Sequence, residues 1–421
     1  MCKGCGGAPS RRATTHRSSD TRETNLGGPA GRIHQPMRVL FISNYFPGDL
    51  GPLARVLATR PENDVLCASI RQRKDFVLPG VRRVRLKNCH ALFGEGESSV
   101  SRIWEEVVQR GAGGLRSMQS LRESWGGPDI IFASLAAGAG LFAPQAFPDA
   151  FIVAYAESGL KNYSLLPQKL RNAWALMQGV LFLQGNLCYA FSEEERRLFA
   201  PQLQGGIRLV PPCVDTELFS KKAAEPWPGN GRPLLTLNAI GIEGPSLAEL
   251  LKTAHLALRQ LPQCRVVVLT ENSARSLSLK HVAGAWEDAC RNRLEVYDAL
   301  PFFRYRDLLA ASSLVVCPGS GEAARRVMLQ CMSCETLLMA TPNAASFLRP
   351  GVNMLELPAD DFADAVWAAL RNVPPAGHPA PQARTARQNV LAQYSEANVV
   401  PRHLEEVIQA REAWSKQNHK Q

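Results

Sequence analysis

Two doubly wound α/β halves, each built on a parallel sheet, are what this sequence predicts. Short apolar runs of strand length alternate with stretches of helical period on both sides of a Pro/Gly-rich break near residue 225. Runs such as Val39–Ile42 and Val266–Leu269 are continuously apolar, as in parallel strands covered on both faces. The length of 421 residues fits two or three units of ordinary domain size.

Composition narrows the class further. Hydrophobic residues at 45% and charged residues at 20% describe a chain able to bury ordinary cores. The most apolar long stretch, Ala173 to Phe191, is interrupted by Gln178, Gln184 and Asn186, so a membrane-spanning helix is not expected. Eleven cysteines, mostly inside apolar segments, suggest buried thiols in a reducing compartment, and hence the cytoplasm. Residues 1–36 contribute +4 of the formal charge of +10, and the remainder +6. Such a balance suits a nucleotide or peripheral contact with an anionic membrane surface, and equally a plain solvated surface. The basic and aromatic interleaving of a nucleic-acid platform is missing, so no nucleic-acid partner is expected.

Taken in order, residues 1–36 form a polar, basic tail without apolar period, read as disordered and lacking the apolar core of a secretory signal. Translation from Met1 or from Met37 fits equally. Cys2 and Cys5 form one CxxC and Cys331 and Cys334 another; two such pairs could bind zinc, but the second reads better as part of a packed helix. Residues 37–220 form the first domain. Val39–Ile42 is its first strand, Pro47, Gly48, Gly51 and Pro52 make a loop, and Leu53, Val56 and Leu57 begin a helix. Apolar positions from Val100 to Leu121 recur at helical spacing, interrupted by Gly111, Gly113 and Gly114. Strands follow at Pro128–Phe132 and Phe151–Ala156, the second ending in Glu157. A carboxylate there stands where open α/β sheets hold ligands, and Glu157 is a candidate for the active site; the alternative is a solvated loop acid. Leu187–Phe191 is a further strand, and Ser192 caps a helix opened by Glu193, Glu194 and Glu195. Residues 221–233 read as a linker, 234–374 as the second domain, and 375–421 as a Pro-rich connection followed by one terminal helix at about 385–414.

Residues 314–341, LVVCPGSGEAARRVMLQCMSCETLLMAT, carry the strongest functional signal. Leu314–Cys317 is a strand, Pro318, Gly319 and Gly321 stop it, and a helix starts at Glu322. The free backbone N–H groups and dipole of such a helix start suit a phosphate. Arg325 and Arg326 in its first turn would be unfavourable there without a negative neighbour. A strand and helix of any doubly wound sheet would read similarly.

These residues resemble the nucleotide-sugar signature of family-4 glycosyltransferases of the GT-B fold, P-S-x-x-E-G-F-G-x-x-x-L-E-A-M-A-C-G. Pro318, Glu322, Leu329, Met332 and Cys334 fall in register, with Gln330 in place of the second acidic residue. Two further stretches are similar to that family: Asn44, Phe46, Pro47, Gly48 and Leu53 to the first loop of one subfamily, and Pro211–Phe219 to the marker between its domains, where Pro212 and Cys213 replace Asn-Gly. The resemblance implies two Rossmann-like domains facing a cleft, with the terminal helix returning to the first domain. It also implies a retaining transferase that moves a hexose from a nucleotide-diphosphate sugar to a glycan, lipid-linked or protein acceptor, in glycan biosynthesis, without a cofactor.

On this resemblance Glu322 contacts the donor sugar, Gln330 the ribose, and Arg325, Arg326, Gly321, Gly241 and Lys252 the diphosphate, while Pro47, Gly48 and Gly51 line the cleft. Metal is not expected in the chemistry, because no Asp-x-Asp or His cluster stands at a strand end. Three departures favour a chain that has lost catalysis. The loop Asn238–Gly244 lacks the usual Arg, Gln330 replaces Glu, and Ser134, Leu135 and Ala136 stand where a subfamily carries His and Trp. A sugar-nucleotide epimerase on the same fold is a third reading.

Overall fold

The computed structural model describes residues 36–87, 89, 99–134, 138–156, 168–228, 233–242, 245–271, 273–298, 300–358, 361–374 and 378–418. From residue 36 onward the chain is one compact unit holding two parallel sheets. The first contains β1 (Arg38–Phe46), β2 (Asp64–Gln72), β3 (Val81–Arg85), β4 (Ile130–Ser134), β5 (Phe151–Tyr155), β6 (Leu187–Ala190) and β7 (Ile207–Leu209), in the order β3-β2-β1-β4-β5-β6-β7. The second contains β8 (Leu234–Asn238), β9 (Arg265–Leu269), β10 (Leu294–Tyr297), β11 (Leu314–Cys317), β12 (Leu338–Ala340) and β13 (Leu355–Glu356), in the order β10-β9-β8-β11-β12-β13. Each order reverses at its first strand, between β1 and β4 and between β8 and β11. Crevices open at the C-terminal ends of strands at such switch points.

The apolar runs explain the sheets. Val39 to Ile42 in β1 and Leu235 and Leu237 in β8 are essentially inaccessible to water, as strands covered by helices on both faces must be. Each sheet has its own core: Leu40, Ile42, Ile131 and Ile152 lie in one cluster, and Leu235, Val266, Val316 and Met339 in another.

Two helices differ from their sequence reading. The glycines near residue 112 do not break the helix, which runs unbroken over Val100–Trp125. They serve close approach instead, since a Cβ on Gly114 would lie 2.3 Å from the Ala139 carbonyl oxygen and one on Gly111 2.9 Å from Leu141. Gly114→Ala is therefore expected to destabilise the protein by about 1–3 kcal/mol, although alanine in a free helix gains about 1 kcal/mol over glycine. Equilibrium urea unfolding checks the sign, and a stabilised variant would remove this account.

The second difference lies at the C-terminus. Instead of one helix from about residue 385, the chain forms a helix at Pro381–Asn389, a π-helical turn at Val390–Tyr394, an extended Ser395 and a helix at Glu396–Asn418. The break is made by a contact remote in sequence: Val214 N–H donates to Tyr394 O (2.9 Å) and Glu396 N–H to Val214 O (3.0 Å), forming a parallel bridge between Val214 and Ser395. Pro212 and Cys213, just before it, keep negative φ, so the turn expected from Asn-Gly is replaced by an extended approach to this bridge.

The last helix then returns to the first sheet. His403 Nε2 lies 2.5 Å from Tyr155 Oη, Arg411 pairs with Asp129 at 2.7 Å, and Trp414 packs edge-on against Phe151. Burial holds the His403 pKa at about 4, so its ring is neutral there at physiological pH.

Candidate functional site

Between the two sheets lies a cleft of about 1260 Å³. Asn44, Tyr45 and Gln72 reach it from the ends of β1 and β2, while Ile240, Thr270 and Asp298 reach it from just beyond β8, β9 and β10. Pro47, Gly48 and Gly51 are among its lining residues. Gly48 has φ +47°, and a Cβ there would sit 2.7 Å from the Tyr45 carbonyl oxygen, which fixes glycine at this turn. The following helix starts two residues earlier than its apolar period indicates, at Gly51, with Pro52 in its first turn where a missing N–H costs nothing.

Opposite this loop stands the helix Glu322–Ser333. Gly321 precedes it at φ +88°, and no side chain caps its N-terminus. Arg325 and Arg326 line the cleft, and the negative neighbours they require are present. Arg325 donates to Glu195 Oε1 at 2.8 Å and to Asp49 Oδ2 at 3.3 Å; Arg326 donates to Asp49 Oδ1 at 2.9 Å and also to Glu322 Oε1. Arg325 and Glu195 are each only 7% exposed and Asp49 10%, while Arg326 and Glu322 are 27% exposed, so this cluster of three carboxylates and two guanidinium groups is dry at one end and open to water at the other. Asp49 and Glu195 come from the first half, Glu322 and both arginines from the second, and the cluster ties the halves together.

The cluster's electrostatics follow from that surplus of one acid. Burial raises the pKa of Glu322, and the Asp49 charge raises it further. Burial likewise raises Glu195 against the pull of Arg325. Asp49 is held below the usual carboxylate range because Arg326 and Arg325 outweigh its burial. Both guanidinium groups are held firmly charged by the acids around them, burial notwithstanding.

Gln330 lies further along the same helix, lines the cleft and accepts a hydrogen bond from Tyr305 Oη at 2.8 Å. Gly241, at φ +74°, directs its N–H towards Glu271 Oε2 at 3.4 Å, and Glu271 pairs with Arg275 at 2.9 Å. The loop, which carries no arginine of its own, meets one from the next helix, since Arg275 donates to Ile242 O at 2.6 Å. Lys252 stands apart, 69% exposed on the helix Pro245–Gln260, pairing with Glu249 at 3.6 Å outside the cleft-lining residues. The Glu322 carboxylate meets the cleft only through its partner Arg326. Glu157 lies outside the described residues, as do Leu135 and Ala136.

A second bridge closes the other side. Phe76 stacks on Phe302 with centroids 3.9 Å apart, and Arg73 donates to Leu300 O across the cleft. Beside it the first half presents Arg71, Arg85 and Arg110 to the cleft, with Arg110 donating to Asn44 Oδ1 at 3.1 Å. Sequence reading missed this wall and the acids Asp49 and Glu195. Asp49 was detectable as the acid beside Gly48, whereas Glu195 passed for an ordinary acid at a helix start.

Comparison with known proteins agrees with this architecture. Residues 61–163 match the family described as Glycosyl transferase family 4 group. No curated protein sequence matches the chain. Among solved structures, sucrose-phosphate synthase from Thermosynechococcus elongatus superposes with a TM-score of 0.63 at 14% identity, covering 90% of this chain and 100% of that one. HepE from Anabaena, in complex with UDP and glucose, gives 0.61 at 14% identity, covering 89% and 100%. A glycosyltransferase from Rickettsia africae gives 0.59 at 11%, covering 89% and 98%. The fold is GT-B, the two-domain architecture of glycosyltransferases. Over residues 61–163 the chain is also similar to the family-4 glycosyltransferase group.

Proposed function

We propose that this protein transfers a hexose from a nucleotide-diphosphate sugar to an acceptor bound against the first half of the cleft, with retention of configuration. The observation that carries the reading is that the first two turns of the helix Glu322–Ser333, uncapped by a side chain among the described residues, present Ala323, Arg325 and Arg326 to a cleft between two switch-point sheets. The complex of HepE with UDP and glucose supports a nucleotide-sugar donor on this fold. In the reaction the donor C1–O bond to the diphosphate breaks, a bond to the acceptor oxygen forms, and the acceptor proton passes to the leaving diphosphate. Helix amides and the two guanidinium groups would stabilise the charge that develops on that diphosphate. Gln330, already hydrogen-bonded by Tyr305, has an amide that can still donate to or accept from ribose hydroxyls. Arg71, Arg85 and Arg110 favour an acceptor that bears a phosphate or carboxylate.

Titration calorimetry with UDP and GDP, alongside a hydrolysis assay on nucleotide sugars, tests the reading. Gln330→Ala is expected to weaken nucleotide binding by about 1–2 kcal/mol, roughly five- to thirty-fold. Glu322→Ala is expected to lower turnover by at least about a hundredfold. A second reading, a binding or scaffold protein without turnover, is favoured by the carboxylates that already occupy both arginines. Nucleotide binding without sugar transfer or hydrolysis would select it, and binding of neither UDP nor GDP would remove both.

A further inference from the structure

Away from the cleft, three side chains of metal-ligating type converge on one point. His255 projects from the helix Pro245–Gln260, Glu287 precedes the short helix Asp288–Arg291, and Cys290 lies within it. His255 Nε2 is 3.6 Å from Glu287 Oε2, Cys290 Sγ is 3.5 Å from the same oxygen, and all the ligand atoms lie within 4.8 Å of one another. Tetrahedral zinc with bonds of about 2.0–2.1 Å to N and O and about 2.3 Å to S places its ligands roughly 3.3–3.6 Å apart. The observed spacings need only small side-chain rotations to meet it.

The surroundings fit a cation as well. Among the described residues His255 Nε2 is buried without a hydrogen-bond partner, and it faces Glu287 Oε2 at 3.6 Å. Trp286 stacks on the imidazole at 4.6 Å and 9°, which fixes the ring's plane. Arg259 approaches the other carboxylate oxygen, Oε1, at 3.9 Å, leaving Oε2 towards the shared point. A thiolate and a carboxylate would together neutralise a divalent ion, and a thiolate, imidazole and carboxylate set favours zinc over magnesium or calcium.

We propose that His255, Glu287 and Cys290 bind a zinc ion that fastens the helix Pro245–Gln260 to the turn at Glu287–Arg291. Binding forms a zinc–sulfur bond and releases the thiol proton to solvent, and water completes the tetrahedron. The site is separate from the proposed donor and acceptor surfaces, and its test does not depend on transferase activity.

The test uses the full chain, stripped with chelator and titrated first with cobalt(II), then with zinc. One equivalent of cobalt should produce a thiolate-to-metal charge-transfer band and tetrahedral visible bands, which zinc abolishes while raising the melting temperature. Cys290→Ser should weaken binding by at least about a hundredfold, beyond the 10–100-fold typical of losing an outer-shell partner. His255→Gln, at a side chain 31% exposed, should do the same and serves if the buried cysteine variant fails to fold. Cys5→Ser, in the tail, should change nothing. No thiolate band, or equal binding by the wild type and His255→Gln, would leave only a hydrogen-bonded trio and overturn the proposal.

Discussion

Arg325→Met is expected to cost about 3–5 kcal/mol of stability, a large share of what holds a typical domain folded. The guanidinium of Arg325 is the only partner of Glu195 among the cluster's cations, and it shares Asp49 with Arg326. Methionine fills a similar volume but leaves Glu195 buried with, among the described residues, only the Phe191 N–H, 2.9 Å away, donating to its carboxylate. The loss should therefore depend on pH in a defined direction. Without Arg325, Glu195 takes up a proton in the folded state well above its unfolded pKa, so the folded variant binds more protons than the unfolded one. The deficit is then full above the folded pKa and shrinks as pH falls towards the unfolded carboxylate value. Urea midpoints at several pH values, with the slope held constant, measure it. Lys252→Met, exposed and paired only with Glu249, is the control expected to change stability by less than about 1 kcal/mol. A similarly small effect at Arg325 would mean that Glu195 reaches water on its own.

Asp49→Asn should have a large effect of the opposite kind, a gain in nucleotide affinity. Three carboxylates share two guanidinium groups here, so an incoming diphosphate would compete with Asp49 for both Arg325 and Arg326. Asparagine keeps an acceptor for one of these hydrogen bonds while removing the charge. If the pair serves phosphate, affinity for UDP or GDP should rise about tenfold or more, equivalent to roughly 1.4 kcal/mol. Calorimetry at fixed ionic strength measures it, because charged contacts in an open cleft are screened by salt. Unchanged or weakened binding would assign the arginines to holding the halves together rather than to the donor.

How much of this was legible depended on whether the cause was local. The strands were readable because a parallel strand covered on both faces must be continuously apolar, and Val39–Ile42 and Leu314–Cys317 are. The helix start at Glu322 was readable from turn residues followed by a helical period. The unbroken helix across Gly111 and Gly114 was not, because those glycines answer to Ala139 and Leu141 rather than to their own neighbours. The break at Ser395 was equally hidden, since Val214 makes it. The sequence pointed to an anion near Arg325 and Arg326, and the nearest anions proved to be side chains, one of them 276 residues away.

The paired backbone at Val214 and Ser395 also limits how the molecule can move. Both passages of the chain between the halves meet at that point, and Arg55 secures it by pairing with Asp215 at 3.3 Å and with Glu396 at 2.6 Å. Two backbone segments joined by a pair of hydrogen bonds resist sliding past one another, so the two crossings of the chain are held in register here.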